Sequence, residues 1–349
     1  MFVGIDVGKF ESALCVIDER GRILRQEKIE TSISAIENAA HNECVPSRRP
    51  NLIAMEAGAT PRRICLGLRK LGYKSIIIDA RQAAPFLRSL RAQKTDANDA
   101  YAIAELVRLN GHRETWIKSD ESQRRLALLN IRDLIIRSEV AVRNSLIGYL
   151  SSAGHNVKSS SRKGYLKIFE AESIGYSSEL ADVFYPLLRA AQHGDALISE
   201  LDKVVREIAE TDAVCQLLMS VPGVGPLTAL RFSSYIDDPL RFATSREVGA
   251  YLGLVPRKKN SATKALSGGI TKFGSKEVRR SLFLAARTLM FSSKANCSLQ
   301  KWSKRVAERR GKKCAMTALA RKLAVVLHAM WISNCAYSAH PSTPKKTDY

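Results

Sequence analysis

Short apolar runs separated by turn residues open the chain, and long stretches with helical periodicity close it. Residues Phe2 to Asp6 are apolar around one acid, and Gly8 allows a turn. Ser12 to Ile17 and Ile23 to Ile29 read as two further strands around the turn signal Asp18-Glu19-Arg20-Gly21. A helix near Ile33 to Asn42, a strand from Leu52 to Met55 and a helix near Pro61 to Leu71 follow. A strand from Ser75 to Asp79 then leads to a helix near Gln82 to Leu90, and another helix starts near Asp96 and runs through Val107. The order β-β-β-α-β-α-β-α predicts an α/β N-terminal domain.

From Ser119 to about Leu150 apolar residues recur at three and four: Leu126, Leu129, Leu134, Ile135, Val142, Leu146 and Leu150. Ser151 to Lys163 is polar and reads as a loop; a second helical pattern runs from about Ser178 to Leu218, with a break expected at Pro186. Two such helices around a loop predict an antiparallel coiled-coil arm, or else a plain helical bundle. The segment SVPGVGPLTA, Ser220 to Ala229, resembles the hairpin of a helix-hairpin-helix module, where glycines let backbone N–H groups approach a phosphate. Short helices are expected at Ser245 to Leu252, Ser275 to Met290 and Ala315 to Trp331. The tail from His340 to Tyr349, rich in proline, threonine and lysine, reads as disordered. The expected division is an α/β domain over 1–118, a helical arm over 119–218, a mainly α domain over 219–338 and a tail over 339–349.

Charge changes the picture most. Lysine and arginine total 55 against 34 acids, a formal net charge of +21 over 349 residues. An excess of that size favours a polyanionic partner through counterion release; the alternative is a basic soluble protein with no nucleic-acid role. None of the seven cysteines forms a C-x-x-C pair, so they read as reduced core residues of a cytoplasmic protein rather than zinc ligands or disulfides. The opening MFVGIDVG reads as a strand rather than a signal peptide. No apolar run is expected to cross a membrane: Leu319 to Trp331 is interrupted by Arg321, Lys322 and His328.

Four acids carry the candidate chemistry: Asp6 in FVGIDVGK, Glu56 in NLIAMEAG, and Asp96 and Asp99 in KTDANDA. Asp6 lies within an apolar strand, where a carboxylate is costly unless solvated, paired or metal-bound. Glu56 ends its own strand, and Asp96 and Asp99 share a helix face as i and i+3 neighbours. Any one of them alone reads as a cap or a surface acid; Asp96, after Thr95, suits a first helical turn. The element order is that of an RNase H-like fold, and four acids converging in one would repel unless divalent metal ions sat among them; a pair of such ions activates phosphodiester chemistry. A rival is the actin-like fold, which also opens with GIDVG and a hairpin; PGVGP lacks the acid and preceding strand that its second phosphate loop needs.

Between Pro256 and Arg280 lie Arg257, Lys258, Lys259, Lys264, Lys272, Lys276, Arg279 and Arg280 against one acid, Glu277. Asn260, Ser261, Thr263, Ser267, Gly268, Gly269 and Thr271 interleave them, and a flexible hydroxyl-rich loop among cations is a phosphate-binding surface. A second basic run extends from Lys301 to Lys313, where Trp302 is expected to pack rather than stack. A serine among such cations is a candidate nucleophile, because the cations stabilise both its alkoxide and the attacked phosphate.

GIDVGK, AMEA, KTDANDA, SVPGVGPLTA and YLGLVPRKKNS with GGITKFGSKEVRRSLFLAA together resemble the IS110/IS1111 family of insertion-sequence transposases, in the same order over nearly the whole chain. The resemblance implies a RuvC-like N-terminal domain whose Asp6, Glu56, Asp96 and Asp99 bind Mg2+ (or Mn2+), a coiled-coil arm and a C-terminal transposase domain with a nucleophilic serine. The family's serine stands five residues after the proline of G-L-x-P in a Ser-Gly pair. Counting from Pro256 gives Ser261, followed here by Ala262 and not glycine; Ser267, followed by Gly268, competes but fits the spacing less well. The resemblance further implies donor and target DNA as partners, a structured non-coding (bridge) RNA as guide, a homo-oligomer (dimer or tetramer) with a site formed between protomers, and DNA strand exchange by transesterification. A RuvC-type structure-specific endonuclease, using the acids and water without the serine, is the alternative, and a non-enzymatic nucleic-acid-binding protein a third class.

Overall fold

Alternation along β1 (Phe2–Asp6) decides what each face of the N-terminal sheet carries: Val3 and Ile5 point one way, Phe2, Gly4 and Asp6 the other. The structure, a computed structural model, describes residues 1–41, 49–58, 60–79, 88–89, 95–152, 178–261, 264–292 and 296–339. It divides into two units, Met1–Lys118 and Ser119–Tyr349.

In the first unit β1 pairs antiparallel with β2 (Glu11–Ile17) and parallel with β4 (Leu52–Glu56). β3 (Ile23–Glu30) pairs antiparallel with β2, and β5 (Ser75–Ile78) parallel with β4, giving the order β3-β2-β1-β4-β5. The inner strands β2, β1 and β4 are mostly apolar because helices cover both faces, and their polar residues, Glu11, Ser12, Asp6 and Glu56, gather at one end. Edge strand β3 is the exception, with charged residues such as Arg25, Glu27 and Lys28 that discourage pairing with another sheet.

On the Val3–Ile5 face, Ile36 of α1 (Ile33–His41) and Ile64 and Leu68 of α2 (Pro61–Lys70) pack against Leu14, Ile53 and Met55. Pro61 starts α2, where a missing N–H costs nothing. On the other face lies α3 (Asp96–Arg108): Ile103 and Leu106 meet Leu52 and Ile78, while Ala100 and Ala104 meet Cys15 and Ile17. The small residues let the helix lie close to β1. The expected helix near Gln82 to Leu90 falls largely outside the described residues.

In the second unit α4 (Asp120–Ser152) and α5 (Ser178–Thr211) run antiparallel: Arg125 pairs with Asp212 at 2.8 Å and Arg132 with Asp202 at 2.5 Å, and Gly194 lies beside Glu139. Helix α4 continues through Ser151 and Ser152, where a loop was expected, and the remainder of that loop lies outside the described residues. Pro186 does not break α5. It sits on the exposed side, where water can serve the carbonyl that loses its partner. The break comes at Asp212, whose carboxylate accepts the Cys215 N–H at 2.8 Å and caps α6 (Ala213–Met219).

Residues 220–225 join α6 to α7 (Pro226–Ile236), with Gly223 at φ +88° and Gly225 as N-cap. A short 3-10 turn, Pro239–Arg241, precedes α8 (Ser245–Tyr251). Helices α9 (Lys276–Phe291), α10 (Ser298–Arg310) and α11 (Lys312–Ser333) complete a mainly helical body whose core includes Leu218, Phe232, Leu282, Leu289, Leu323 and Leu327. α10 was not among the expected helices because cations dominate its sequence. α11 is long and apolar enough to cross a bilayer by length and composition, contrary to the sequence reading, because its cations are too few to lower its mean hydropathy. Leu319, Leu323 and Leu327 of this helix are fully buried in the core.

Pro256 to Ile270 also departs from expectation. Instead of a loop it forms an antiparallel hairpin of β6 (Pro256–Ser261) and β7 (Lys264–Ile270). Its lysines, serines and glycines carry no alternating apolar signal, and backbone pairing defines the strands. Cys15, Cys65, Cys215 and Cys297 are buried, and burial pushes the Cys15 and Cys215 thiols up to about 12. Cys314 and Cys335 are exposed, so the expectation of core cysteines fails for those two; Cys44 lies outside the described residues.

Candidate functional site

Asp6 is the last residue of β1 and faces Ala13 of β2; Glu56 is the last residue of β4, one beyond the Ile5–Met55 pair. Parallel strands in register therefore end in Asp6 and Glu56 side by side. Alternation puts both on the face that α3 covers, with Gly4 and Ala54.

The first turn of α3 lies at this same end. Asp96 pairs with Lys28 at 3.4 Å, and Lys28 is opposite Ala13, itself opposite Asp6. Gln26 donates to the Ala97 carbonyl at 2.7 Å. At the far end of the helix, Arg108 donates to the Glu19 carbonyl at 3.2 Å, beside the β2–β3 turn. So α3 runs opposite to β1 and delivers Asp96 and Asp99 to the edge where β1 and β4 finish. Thr95 fixes the start of the helix, accepting the Asn98 N–H at 3.2 Å, and acids in the first turn suit the positive end of the helix dipole.

The four acids are not equivalent. Asp6, Glu56 and Asp99 are half-buried, whereas the Asp96 side chain is 65% exposed and engages Lys28 at the sheet edge. Lys28 escaped the sequence reading, although the polar alternation of β3 placed it on this row. All four donors are hard oxygens, the chemistry that Mg2+ or Mn2+ takes. Among the described residues no three acids, histidines or cysteines stand close enough to hold one ion together. The elements thus bring the acids to one edge in a set wider than a single ion's shell.

In the second unit, Ser261 pairs with Lys264 next to the hairpin turn, and Ser267 pairs with Lys258 further down the ladder. The side chains of Lys258, Lys259, Ser261, Lys264 and Ser267 lie outside the described residues. Arg257, Lys272, Lys276 and Arg280 are exposed. Arg279 instead donates to the carbonyls of Leu252, Phe273 and Gly274, holding the turn that joins β7 to α9. Lys272 sits in that turn at φ +61°, its N–H donating to the Gly253 carbonyl at 3.0 Å. Ser275 caps α9 through the Val278 N–H at 3.2 Å, while its own N–H donates to the Tyr235 hydroxyl at 3.0 Å. Burial pushes the Tyr235 phenol well above its ordinary range, so it remains a neutral acceptor here. The turn is therefore rigid and presents Lys272 and Lys276 outward.

Comparison with known proteins joins the two halves. A transposase family model of the DEDD IS110 type matches residues 3–154, and one described as the transposase IS116/IS110/IS902 family matches residues 215–302. The chain is 30% identical over 332 residues to the transposase for insertion sequence element IS1111A of Coxiella burnetii, covering 94% of this chain and 88% of that one. It is 27% identical to the transposase for insertion sequence element IS1328 of Yersinia enterocolitica, over 96% of this chain and 98% of that one. A pilin gene-inverting protein of Moraxella lacunata is 28% identical over 145 residues, 40% of this chain and 44% of that one.

Proposed function

The chain belongs to the IS116/IS110/IS902 family of transposases, and from that membership we propose that it exchanges DNA strands by transesterification, using Asp6, Glu56, Asp96 and Asp99 with a serine nucleophile. As a transposase it cuts and joins DNA. The observation that carries the finer reading is the convergence of β1, β4 and the first turn of α3 at one edge of the sheet. The strand order β3-β2-β1-β4-β5 supports an RNase H-like reading of that sheet.

In this reading Ser261 Oγ attacks a backbone phosphorus, one P–O ester bond to the neighbouring nucleotide breaks, and the serine proton leaves with the released hydroxyl. Bond energy is kept in the phosphoserine, so rejoining needs no nucleotide triphosphate. Asp6, Glu56, Asp96 and Asp99 would share the holding of divalent cations, with Asp96 released from Lys28 to take part. Such a cation, when bound, supplies positive charge to the phosphate under attack. Arg257, Lys272, Lys276 and Arg280 would seat the backbone, with Lys258, Lys259 and Lys264 from the hairpin, and Arg279 would keep the turn beneath them rigid. The excess of positive charge, +21, accommodates a structured guide RNA as well as donor and target DNA. Base pairing would then choose the sequence and the protein would read backbone and shape. A dimer or tetramer would bring acids and serine from different copies to one strand.

The test is covalent trapping on DNA resolved under denaturing conditions. Ser261→Ala is expected to abolish the protein–DNA adduct while DNA binding persists, and Ser267→Ala to leave the adduct intact. The reverse pattern would move the role to Ser267. Cleavage by the wild type without any adduct would instead favour metal-dependent hydrolysis of the RuvC type. Asp6→Asn is expected to stop cleavage in either case.

A further inference from the structure

The turn between β1 and β2 carries Lys9 and Phe10 immediately beyond Asp6. Phe10 is 74% exposed, and the Lys9 ammonium lies 5.0 Å from its ring centroid. A single exposed apolar side chain needs no explanation; what distinguishes this one is how firmly it is held and where. Thr31 donates its N–H to the Phe10 carbonyl at 2.8 Å and its hydroxyl to the Gly8 carbonyl at 3.3 Å. Thr31 is itself buried and shares a 2.7 Å hydrogen bond with the buried Ser12 hydroxyl. A Cβ on Gly8 would come within 2.0 Å of the Glu11 carbonyl oxygen, so the tight path of the turn requires glycine. The backbone of this turn is thus fixed from both sides, and it holds an aromatic ring and a cation out into solvent at the acidic end of the sheet.

An edge made of carboxylates repels a nucleic-acid backbone. Lys9 opposes that repulsion on the approach, and the ring beside it leaves one face clear of the ammonium. We propose that Phe10 stacks on a base of the DNA strand lying across the acid edge, next to the phosphate to be cut, with Lys9 contacting the adjoining backbone. The inference rests on the acid-edge reading of the active site and adds a substrate-positioning residue to it. Stacking of this kind tolerates any base, because every base offers a π face. It would set which phosphate sits among the carboxylates without selecting sequence, leaving that choice to pairing.

The experiment uses the full-length protein and a short single-stranded oligonucleotide carrying 2-aminopurine. Phe10→Ala is expected to weaken binding about tenfold and to abolish the quenching that stacking causes, while Phe10→Trp restores both. Lys9→Ala is expected to lower the slope of log affinity against log salt by about one phosphate contact, a slope that Phe10→Ala leaves unchanged. Asp6→Asn is assayed in parallel for cleavage. Equal affinity and equal quenching in Phe10→Ala, with Asp6→Asn inactive, overturn the stacking contact alone. Cleavage by Asp6→Asn at the wild-type rate overturns the acid-edge reading, and with it the placement of the stacked base beside the cut.

Discussion

Gly4 and Ala100 are in such close apposition that a Cβ built on Gly4 would fall 2.1 Å from the Ala100 carbonyl oxygen and 2.4 Å from the Ala104 nitrogen. The missing side chain is what lets α3 rest on β1, and this seat sets how far Asp96 and Asp99 stand from Asp6. Gly4→Ala is expected to push the helix off the strand, destabilising the protein by about 1–3 kcal/mol as overpacking does. Cleavage should fall further than DNA binding, since the acids separate while the basic surface of the second unit is untouched. Denaturant unfolding together with cleavage and binding assays would check this; normal cleavage in Gly4→Ala would mean that the helix seat does not govern the site.

Arg231 is 3% exposed and donates to Asp133 at 2.7 Å, an ion pair within the second unit. Removing Asp133 strands the Arg231 charge away from water, so Asp133→Leu should cost about 3–5 kcal/mol, and Arg231→Met less, because Asp133 keeps Arg132 at 3.7 Å. The double variant Arg231→Met with Asp133→Leu is expected to recover much of that loss. Urea midpoints of the two single variants and the double form the cycle, and additive losses would contradict the pairing.

Asp212 ends α5 and caps α6. Burial raises its carboxyl pKa, but the Cys215 amide and the Arg125 guanidinium outweigh that and hold it below the ordinary value. A carboxylate with a depressed pKa contributes stability above its unfolded value, near 3.9, and that stability is lost as pH falls through the folded value. Acid unfolding of Asp212→Ala should therefore show a weaker dependence on pH below about 4 than the wild type, on top of a cap loss of about 0.5–2 kcal/mol at neutral pH.

His328 is fully buried, with Nδ1 2.9 Å from the Ser245 hydroxyl and Nε2 2.9 Å from the Pro239 carbonyl. The carbonyl can only accept, so Nε2 carries the proton and Nδ1 accepts from Ser245. Burial lowers the imidazole pKa from its ordinary 6.5. The unfolded chain therefore takes up a proton before the folded one does, and stability falls as pH drops below 6.5 until the folded group also titrates. Thermal melts between about pH 8 and about pH 5 should show this decline in the wild type and a shallower one in His328→Gln. Parallel curves would remove His328 as the cause.

Much of the first unit was legible because its strands are nearly continuous apolar runs and its turns carry glycine or acidic residues. Asp6 stood out as a charge in such a run, and Glu56 as an acid ending one. Lys28, which holds Asp96 in the structure, carried no comparable signal, because a lysine on an edge strand is ordinary. Pro186 misled for the opposite reason: its local preference is strong, but a solvent-facing position in a packed helix overrode it. The β6–β7 hairpin was unreadable because nothing in Pro256 to Ile270 alternates between apolar and polar.

By itself, the order of residues determined the identity of the four carboxylates, the basic surplus and the local elements, since composition and periodicity are properties of the chain alone. Which of those acids share an edge, and which one is drawn aside by a lysine, was decided only when β1 and β4 paired in register and α3 settled on Gly4. The reason is geometric: backbone hydrogen bonding and close packing determine distances between segments far apart in the chain, and no local pattern encodes those distances.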